Sequence, residues 1–273
     1  MRISLDVSLT AQHSRSGSSA PPLWTPANLG AGVVWWDATD ASSVSLSGVN
    51  VLAVDAQNSV NCTIRPSGTE RATRNATTGL VQMPTSITSG AAALEGTLPS
   101  AVAGPNPVTV VIIGNPTSYS GAFPNVRIGS GTTGAFQNEF CSTRYNDTNW
   151  NTTTADRLRT GAKPQITTFR TDGYAARTVS ARVDGEDFQQ GMVWGASSGS
   201  SASQKVFFGA RSNGSQANNF AWFIVLIANR RLTDAEVQKL EGWAVHTWAG
   251  RINAIPAITL PSGHPYRNGP PYA

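Results

Sequence analysis

Apolar and polar residues alternate through much of this chain, as in strands with one face in a core. Near the start, Ile3, Leu5, Val7 and Leu9 alternate with Ser4, Asp6 and Ser8. Residues 33–36 (VVWW) form a dense apolar strand that ends at Asp37-Ala38-Thr39-Asp40. Val44, Leu46, Val49, Val51 and Ala53 then take polar partners around a turn at Gly48. Residues 108–113 (VTVVII) are almost wholly apolar and β-branched, which predicts a central strand. Gly114-Asn115-Pro116 stops it. Residues 166–170 (ITTFR), 178–183 (TVSARV), 206–208 and 220–228 (FAWFIVLIA) predict further short strands. Asp184-Gly185 is a tight-turn dipeptide after the second of these. Residues 117–165, rich in Gly, Ser, Thr and Asn, predict loops and short strands. Many short strands between turn signals predict an all-β sandwich or barrel.

One helix is predicted, over residues 233–249. Thr233-Asp234-Ala235-Glu236 is a capping box, in which Thr233 and Glu236 satisfy each other's backbone N–H groups. Asp234 sits in the first turn, where the helix dipole favours negative charge. Val237, Leu240, Ala244 and Trp248 recur at helical spacing and Trp243 broadens the apolar face. Gly250 is a natural stop. The helix is expected to pack on the sheet beside the 220–228 strand.

Three segments follow. Residues 1–22 read as an arm, its alternating strand cut off by the linker HSRSGSSAPP. Ile3, Leu5 and Val7 either dock on a neighbouring subunit or form an edge strand of their own sheet. Residues 23–250 form the main domain, and residues 251–273 a Pro-rich tail.

Composition narrows the function classes. Charged residues are 13% of the chain, about half the usual share. The formal charge is +4. The basic residues are nearly all Arg, with lysine only at 163, 205 and 239. Arg230-Arg231 is the one adjacent pair, and such scatter argues against a nucleic-acid face. Planar contacts at protein interfaces suit Arg better. Cys62 and Cys141 lack zinc-site spacing; free buried thiols are the expectation, with pairing across two sheets the alternative. The first 22 residues carry no apolar signal core, and the nine-residue run 220–228 is too short to span a bilayer. A soluble protein made in a cytoplasm is expected. The sequon at Asn75 is then without consequence.

Candidate chemistry is sparse. A glycosidase needs two carboxylates about 5–10 Å apart. The close acidic group is Asp184-Gly185-Glu186-Asp187, at a turn where acids are ordinarily solvated. His13 lies in the linker, His246 on the helix rim and His264 in a His-Pro-Tyr stretch. No P-loop occurs, and no glycine-rich turn opens the predicted helix, as a nucleophile elbow or a dinucleotide site requires. The chain is therefore expected not to be an enzyme. Trp24, Trp150 and Trp194 fall in loop-like contexts and are candidates for stacking on sugars, with core packing the plainer alternative. Trp35, Trp36, Trp222, Trp243 and Trp248 are expected in the core.

The last third contains FAWFIVLIANRRLTDAEVQKLEGWAVHTWAG, then LPSGHPY over residues 260–266 and Pro270-Pro271. This resembles the C-terminal signature of concanavalin A-like / laminin-G-like domains in bacteriophage virion proteins. VVWWDATDASSVSLSG (33–48) and ARVDGEDF (181–188) are similar to core strands of such domains. The resemblance spans residues 33–271 with a weakly matched middle. Its departures are His246-Thr247-Trp248 and a longer stretch over 251–259. It implies a two-sheet antiparallel jelly roll closed by the C-terminal helix, with an extended N-terminal arm. It further implies a non-enzymatic virion structural protein, in a capsid decoration, collar or tail appendage. Its partners would be other virion proteins, in an oligomer within the particle. Ile3, Leu5, Val7, His264, Pro265 and Tyr266 would then be anchors. A carbohydrate-binding module for a host surface glycan is the alternative, and a glycan hydrolase a disfavoured third. No cofactor is expected, although the fold class implies calcium as a candidate at Asp37, Asp40 and Asp184.

Overall fold

The computed structural model describes residues 21–57, 62–66, 71–84, 94–102, 106–116, 126–129, 137–140, 145–147, 150–151, 164–172, 178–193, 203–208, 220–248 and 258–273. The arm, with Ile3, Leu5 and Val7, lies outside the described residues, as do Cys141 and Trp194.

In the first half the strands are β1 (Val33–Asp37), β2 (Val44–Ser47), β3 (Asn50–Asp55), β4 (Thr63–Pro66), β5 (Thr73–Arg74), β6 (Val81–Gln82), β7 (Leu94–Val102) and β8 (Val108–Pro116). Then come β9 (Val126–Gly129), β10 (Gln137–Phe140), β11 (Tyr145–Asp147) and β12 (Trp150–Asn151). The remainder are β13 (Gln165–Thr171), β14 (Thr178–Val183), β15 (Glu186–Val193), β16 (Ser203–Phe208) and β17 (Phe220–Ala228). All described pairings are antiparallel, and they build two sheets. In the first, β1 and β6 lie end to end along one side of β17. On its other side β8, β13, β14 and β15 follow in order. The β2–β3 hairpin joins this sheet through β5 and β6. The second sheet runs β4, β7, β16, β9, β10, β11, β12. β4 pairs with β3 at one end and with β7 at the other, so it turns the corner between sheets. The result is an all-β sandwich with one C-terminal helix.

The apolar runs now have a reason. Val34 and Trp36 of β1, Val110 and Ile112 of β8 and Val225 and Ile227 of β17 face the second sheet. There they meet Leu94, Ile128, Val206 and Phe208. Trp36 meets Phe208 edge-on at 5.2 Å between ring centroids, and its Nε1–H donates to the carbonyl of Cys62 at 3.1 Å. Val33, Trp35, Val111, Ile113, Ile224 and Leu226 face the opposite way, under a second apolar layer. Both faces of β8 and β17 are thus buried, so neither strand alternates in polarity. A bulge between Trp222 and Ile224 resets the register of β17.

That second layer is the helix α1 (Asp234–Trp243) and its π-helical continuation (Ala244–Trp248). Val237, Leu240, Trp243, Ala244 and Trp248 are all buried against β17 and β8. Phe223 meets Trp248 at 5.2 Å. The capping box forms as the sequence predicts. Thr109, the polar residue inside VTVVII, points at the helix connection. Its hydroxyl donates to the carbonyl of Arg230 and accepts from the N–H of Leu232, both at 2.9 Å. The Asp184-Gly185 hairpin also forms, with both residues at positive φ (49° and 86°), as its two-residue loop requires.

The tail folds back. Trp24 N–H donates to Pro271 O and Ala273 N–H to Pro22 O, each at 3.0 Å. Leu23 pairs with Tyr272. The domain therefore closes where residues 22–24 meet residues 271–273. Gly242 makes room for this: a Cβ there would stand 2.4 Å from Cβ of Tyr266.

Two expectations follow. Gly242→Ala should force the tail off α1 and cost about 1–3 kcal/mol, read as a lower midpoint in urea; an unchanged midpoint would show that the tail contributes little. Glu236 takes a bidentate Arg230 at 2.7 and 2.9 Å. Chiefly through that contact, and against some burial, its carboxyl falls from the ordinary 4.5 to about 2. A lowered carboxylate contributes stability that is full above 4.5 and lost as the pH falls through about 2. Glu236→Gln should flatten the acid limb of the stability curve in that window.

Candidate functional site

Two polar constructions stand out. The first is buried beneath α1. Arg182 of β14 extends under the helix, where Nε donates to Oε1 of Glu241 at 3.1 Å and Nη2 to Oε2 at 3.2 Å. Nη2 also donates to the carbonyl of Gly185 at 2.8 Å, and Nη1 pairs with Asp187. His264 closes the group, its Nε2 lying 2.9 Å from Oε2 of Glu241. The N–H of Tyr266 donates to Nδ1 of His264 at 3.2 Å, so Nε2 is the ring nitrogen that carries hydrogen toward Glu241. Burial alone would lower the Arg182 value, but hydrogen bonds and attraction from Glu241, then Asp187, outweigh it and raise it.

This cluster sews β14, α1 and the tail together. A Cβ at Gly185 would stand 2.9 Å from Pro261 and 3.1 Å from the His264 ring. Nearby, Arg170 pairs with Asp234, a contact that chiefly holds the Asp234 carboxyl below its usual range. Arg231 reaches Ser180 at 3.0 Å and Asp172 at 3.1 Å. The scattered arginines at 170, 182, 230 and 231 are thus spent inside the domain.

The second construction is a polar cleft at the C-terminal end of β1, about 390 Å³ in volume. It is lined by Thr39, Asp40, Ala41, Arg74, Ala76, Thr77, Thr78 and Gly79. One wall is the chain leaving β1, stiffened by local hydrogen bonds. Asp37 Oδ1 accepts from the N–H of Thr39 at 2.9 Å and from its hydroxyl at 2.5 Å. Trp248 Nε1–H reaches the same hydroxyl at 3.3 Å. Asp40 Oδ1 accepts from the N–H of Ser42 at 3.0 Å and its hydroxyl at 2.7 Å.

The opposite wall is the turn between β5 and β6. Asn75 Oδ1 accepts from the N–H groups of Thr77 and Thr78, both at 2.9 Å. Gly79, at φ 72°, presses on the first wall, where a Cβ would stand 2.6 Å from Cα of Thr39. Arg74 joins the walls. It is only 8% exposed. Its Nε donates to Ala38 O at 2.7 Å and its Nη2 to Thr39 O at 3.4 Å.

The sequence candidates distribute as follows. Trp24 is 3% exposed and packs in the outer apolar layer, so its ring is not offered to a sugar; the backbone pairing with the tail holds it there. Trp150 lies in β12, but its side chain is outside the described residues, as is Trp194 altogether. Asp37 and Asp184 occupy opposite margins of one row across the first sheet, through Ile224, Ile113 and Ile166. Four strand spacings of about 4.8 Å separate them by roughly 19 Å, so with Asp40 they do not converge on one calcium ion. No group of three metal-ligating side chains occurs among the described residues. Asp184 is buried rather than solvated and accepts from the N–H of Ile166 at 2.8 Å. Glu186 and Asp187 are exposed. His264 is buried and Tyr266 half-buried against their own domain, with the Tyr266 carbonyl 2.7 Å from Nε2 of His246; Pro265 is exposed. Cys62 is a free, buried thiol pushed up to about 11 by burial.

Sequence reasoning singled out Asp40, as a metal candidate, but not the cleft it lines. Its walls come from residues 35 apart, and Asn75-Ala76-Thr77 reads only as a sequon. The one available signal was Asn-x-Thr-Thr-Gly, a side-chain-capped turn ending in glycine.

No protein-family model matches the chain, and no curated protein matches it. Solved structures do. The GH54 α-L-arabinofuranosidase is 11% identical at a TM-score of 0.52, over 70% of this chain and 50% of that one. The receptor-binding domain of the botulinum neurotoxin C/D mosaic serotype is 11% identical at 0.50, over 78% and 51%. The botulinum neurotoxin serotype D binding domain gives the same values. The matches thus cover about half the length of these solved chains. At such identity the likeness is one of fold, and it places the chain among all-β sandwich proteins.

The buried cluster makes a sharp prediction. Glu241→Ala should leave Arg182 without its main partner in the interior and cost about 3–5 kcal/mol. Glu241→Gln, which keeps the shape and an acceptor, should cost less. Equal loss from both would show that charge, not hydrogen bonding, holds the seam.

Proposed function

We propose that this protein is a non-enzymatic structural module of a bacteriophage particle, displaying a lectin-like sandwich as a capsid decoration, collar or tail appendage. One observation carries the reading. The segment that resembles the virion signature, from Leu232 to Pro271, is the part that closes the domain, through Glu241, His264 and the tail. The signature's acid and histidine serve packing and hydrogen bonding, which supports a rigid scaffold rather than a reaction centre. Nearby, Arg182 holds Glu241 and Asp187, which fits a structural use of these acids. The partners are other virion proteins, with the arm of residues 1–22 as the contact to a neighbour in an oligomer. No cofactor is required. Assembly would draw on protein made in the host cytoplasm.

A second reading is carbohydrate binding at a host surface. It is favoured by the polar, preorganised cleft between β1 and the β5–β6 turn, and the two roles are compatible on one particle.

Cryo-electron microscopy of the intact particle tests the first reading. Density for the sandwich at the capsid, collar or tail, with residues 1–22 against a neighbour, is the expected result. A chain that purifies as a monomer and is absent from particles would sink it.

A further inference from the structure

We propose that the cleft between residues 39–41 and 74–79 is a binding site for an acidic sugar, with Arg74 taking the ligand's carboxylate. The inference rests on the carbohydrate-binding reading and names its site and ligand class.

Arg74 is the starting point. Its side chain is buried, yet it makes no ion pair among the described residues. A guanidinium offers five N–H donors. Two backbone carbonyls take Nε and, at the long distance of 3.4 Å, Nη2. Nη1 makes no hydrogen bond to a described residue. A buried charge is costly unless it is paired and hydrogen-bonded, and carbonyl dipoles supply only part of that. The contrast with Arg170, Arg182 and Arg230 is direct, since each of those meets a carboxylate. Arg74 instead borders an open cleft, where a ligand carboxylate can take its free edge in the charge-assisted geometry that guanidinium favours.

The rest of the lining decides the ligand class. Asp40 and the hydroxyls of Thr77 and Thr78 line the cleft with Arg74, and Thr39 Oγ1, whose hydrogen goes to Asp37, adds an acceptor. A dianion such as phosphate would meet about twice the repulsion from Asp40 that a singly charged carboxylate meets. A singly charged carboxylate on a polyhydroxylated ring presents one group for Arg74 and hydroxyls for Asp40 and the threonines. The volume of about 390 Å³ lies at the small end of ligand pockets, which span about 300–1,000 Å³. No aromatic side chain lines the cleft, so recognition runs through charge and hydrogen bonds, and affinity falls with salt. The walls are already braced by Asp37, Asn75 and the close approach of Gly79, so little ordering accompanies binding.

The test is a titration of the full chain with glucuronate, N-acetylneuraminate, glucose and acetate, followed by ligand-observed NMR. Ala76→Trp fills the cleft from an exposed position and should leave thermal melting unchanged. Arg74→Lys keeps the charge but loses the planar fork. At least one acidic sugar should bind about tenfold better than glucose and acetate, Arg74→Lys should lose about tenfold of it, and Ala76→Trp should abolish it. Equal binding of glucose and both acids, or of acetate and both acids, would overturn the ligand class. Sugar binding that persists in Ala76→Trp would overturn the site while the carbohydrate reading stands. A wild-type chain that binds no sugar at all, on these probes and on a glycan array, would overturn both.

Discussion

Strand β17 is buried on both faces, and the rest of the domain is arranged to keep it so. Trp222, Val225 and Ile227 look into the inter-sheet core, while Phe223, Ile224, Leu226 and Ala228 look outward. A strand with no polar face cannot stand at the surface of a sandwich. One side is covered by the second sheet and the other by α1, Trp24, Leu29 and Trp35. The helix is therefore a third layer, placed by the strand that precedes it in sequence. The connection is short and fixed by Thr109, which uses its one hydroxyl both to donate and to accept.

The helix covers more than apolar surface. It also lies over β13 and β14, whose outward residues include Thr168, Arg170, Ser180 and Arg182. A purely apolar helix would strand these groups. Asp234 and Glu241 meet the arginines instead, and His264 brings the tail onto the same carboxylate. Such a seam contributes less to net stability than to geometry, because desolvation offsets much of its attraction. Its value is directional: one docking angle of α1 and one path for the tail satisfy all the hydrogen bonds. Arg74 shows the same residue type in the opposite situation, buried at the margin of a cleft and held by two backbone carbonyls.

Much of the fold was legible in the chain. The apolar strands 33–36, 108–113 and 220–228, the Asp184-Gly185 hairpin and the Thr233–Glu236 capping box all form. These signals are local: they depend on side-chain period, on φ > 0 at a two-residue turn, and on hydrogen bonds three residues apart. Legibility ended where distant segments meet. Trp24 reads as a loop residue until Pro271 is seen to fix its backbone. Asp184 reads as a solvated turn acid until Ile166 appears beside it.

By itself the sequence determined an all-β chain with one capped C-terminal helix, because strand and helix periods and turn chemistry act over a few residues. Tertiary structure alone decided that Arg182 meets an acid and that Arg74, among the described residues, does not. Arg182 and Arg74 each follow strand-like, polar-apolar neighbours and cannot be told apart in sequence. Glu241 lies 59 residues from Arg182 and meets it only because α1 folds over β14. Arg74 meets two carbonyls about 35 residues away and, among the described residues, no acid. Charge pairing depends on three-dimensional distance and on exclusion of water, and neither exists until the layers have packed.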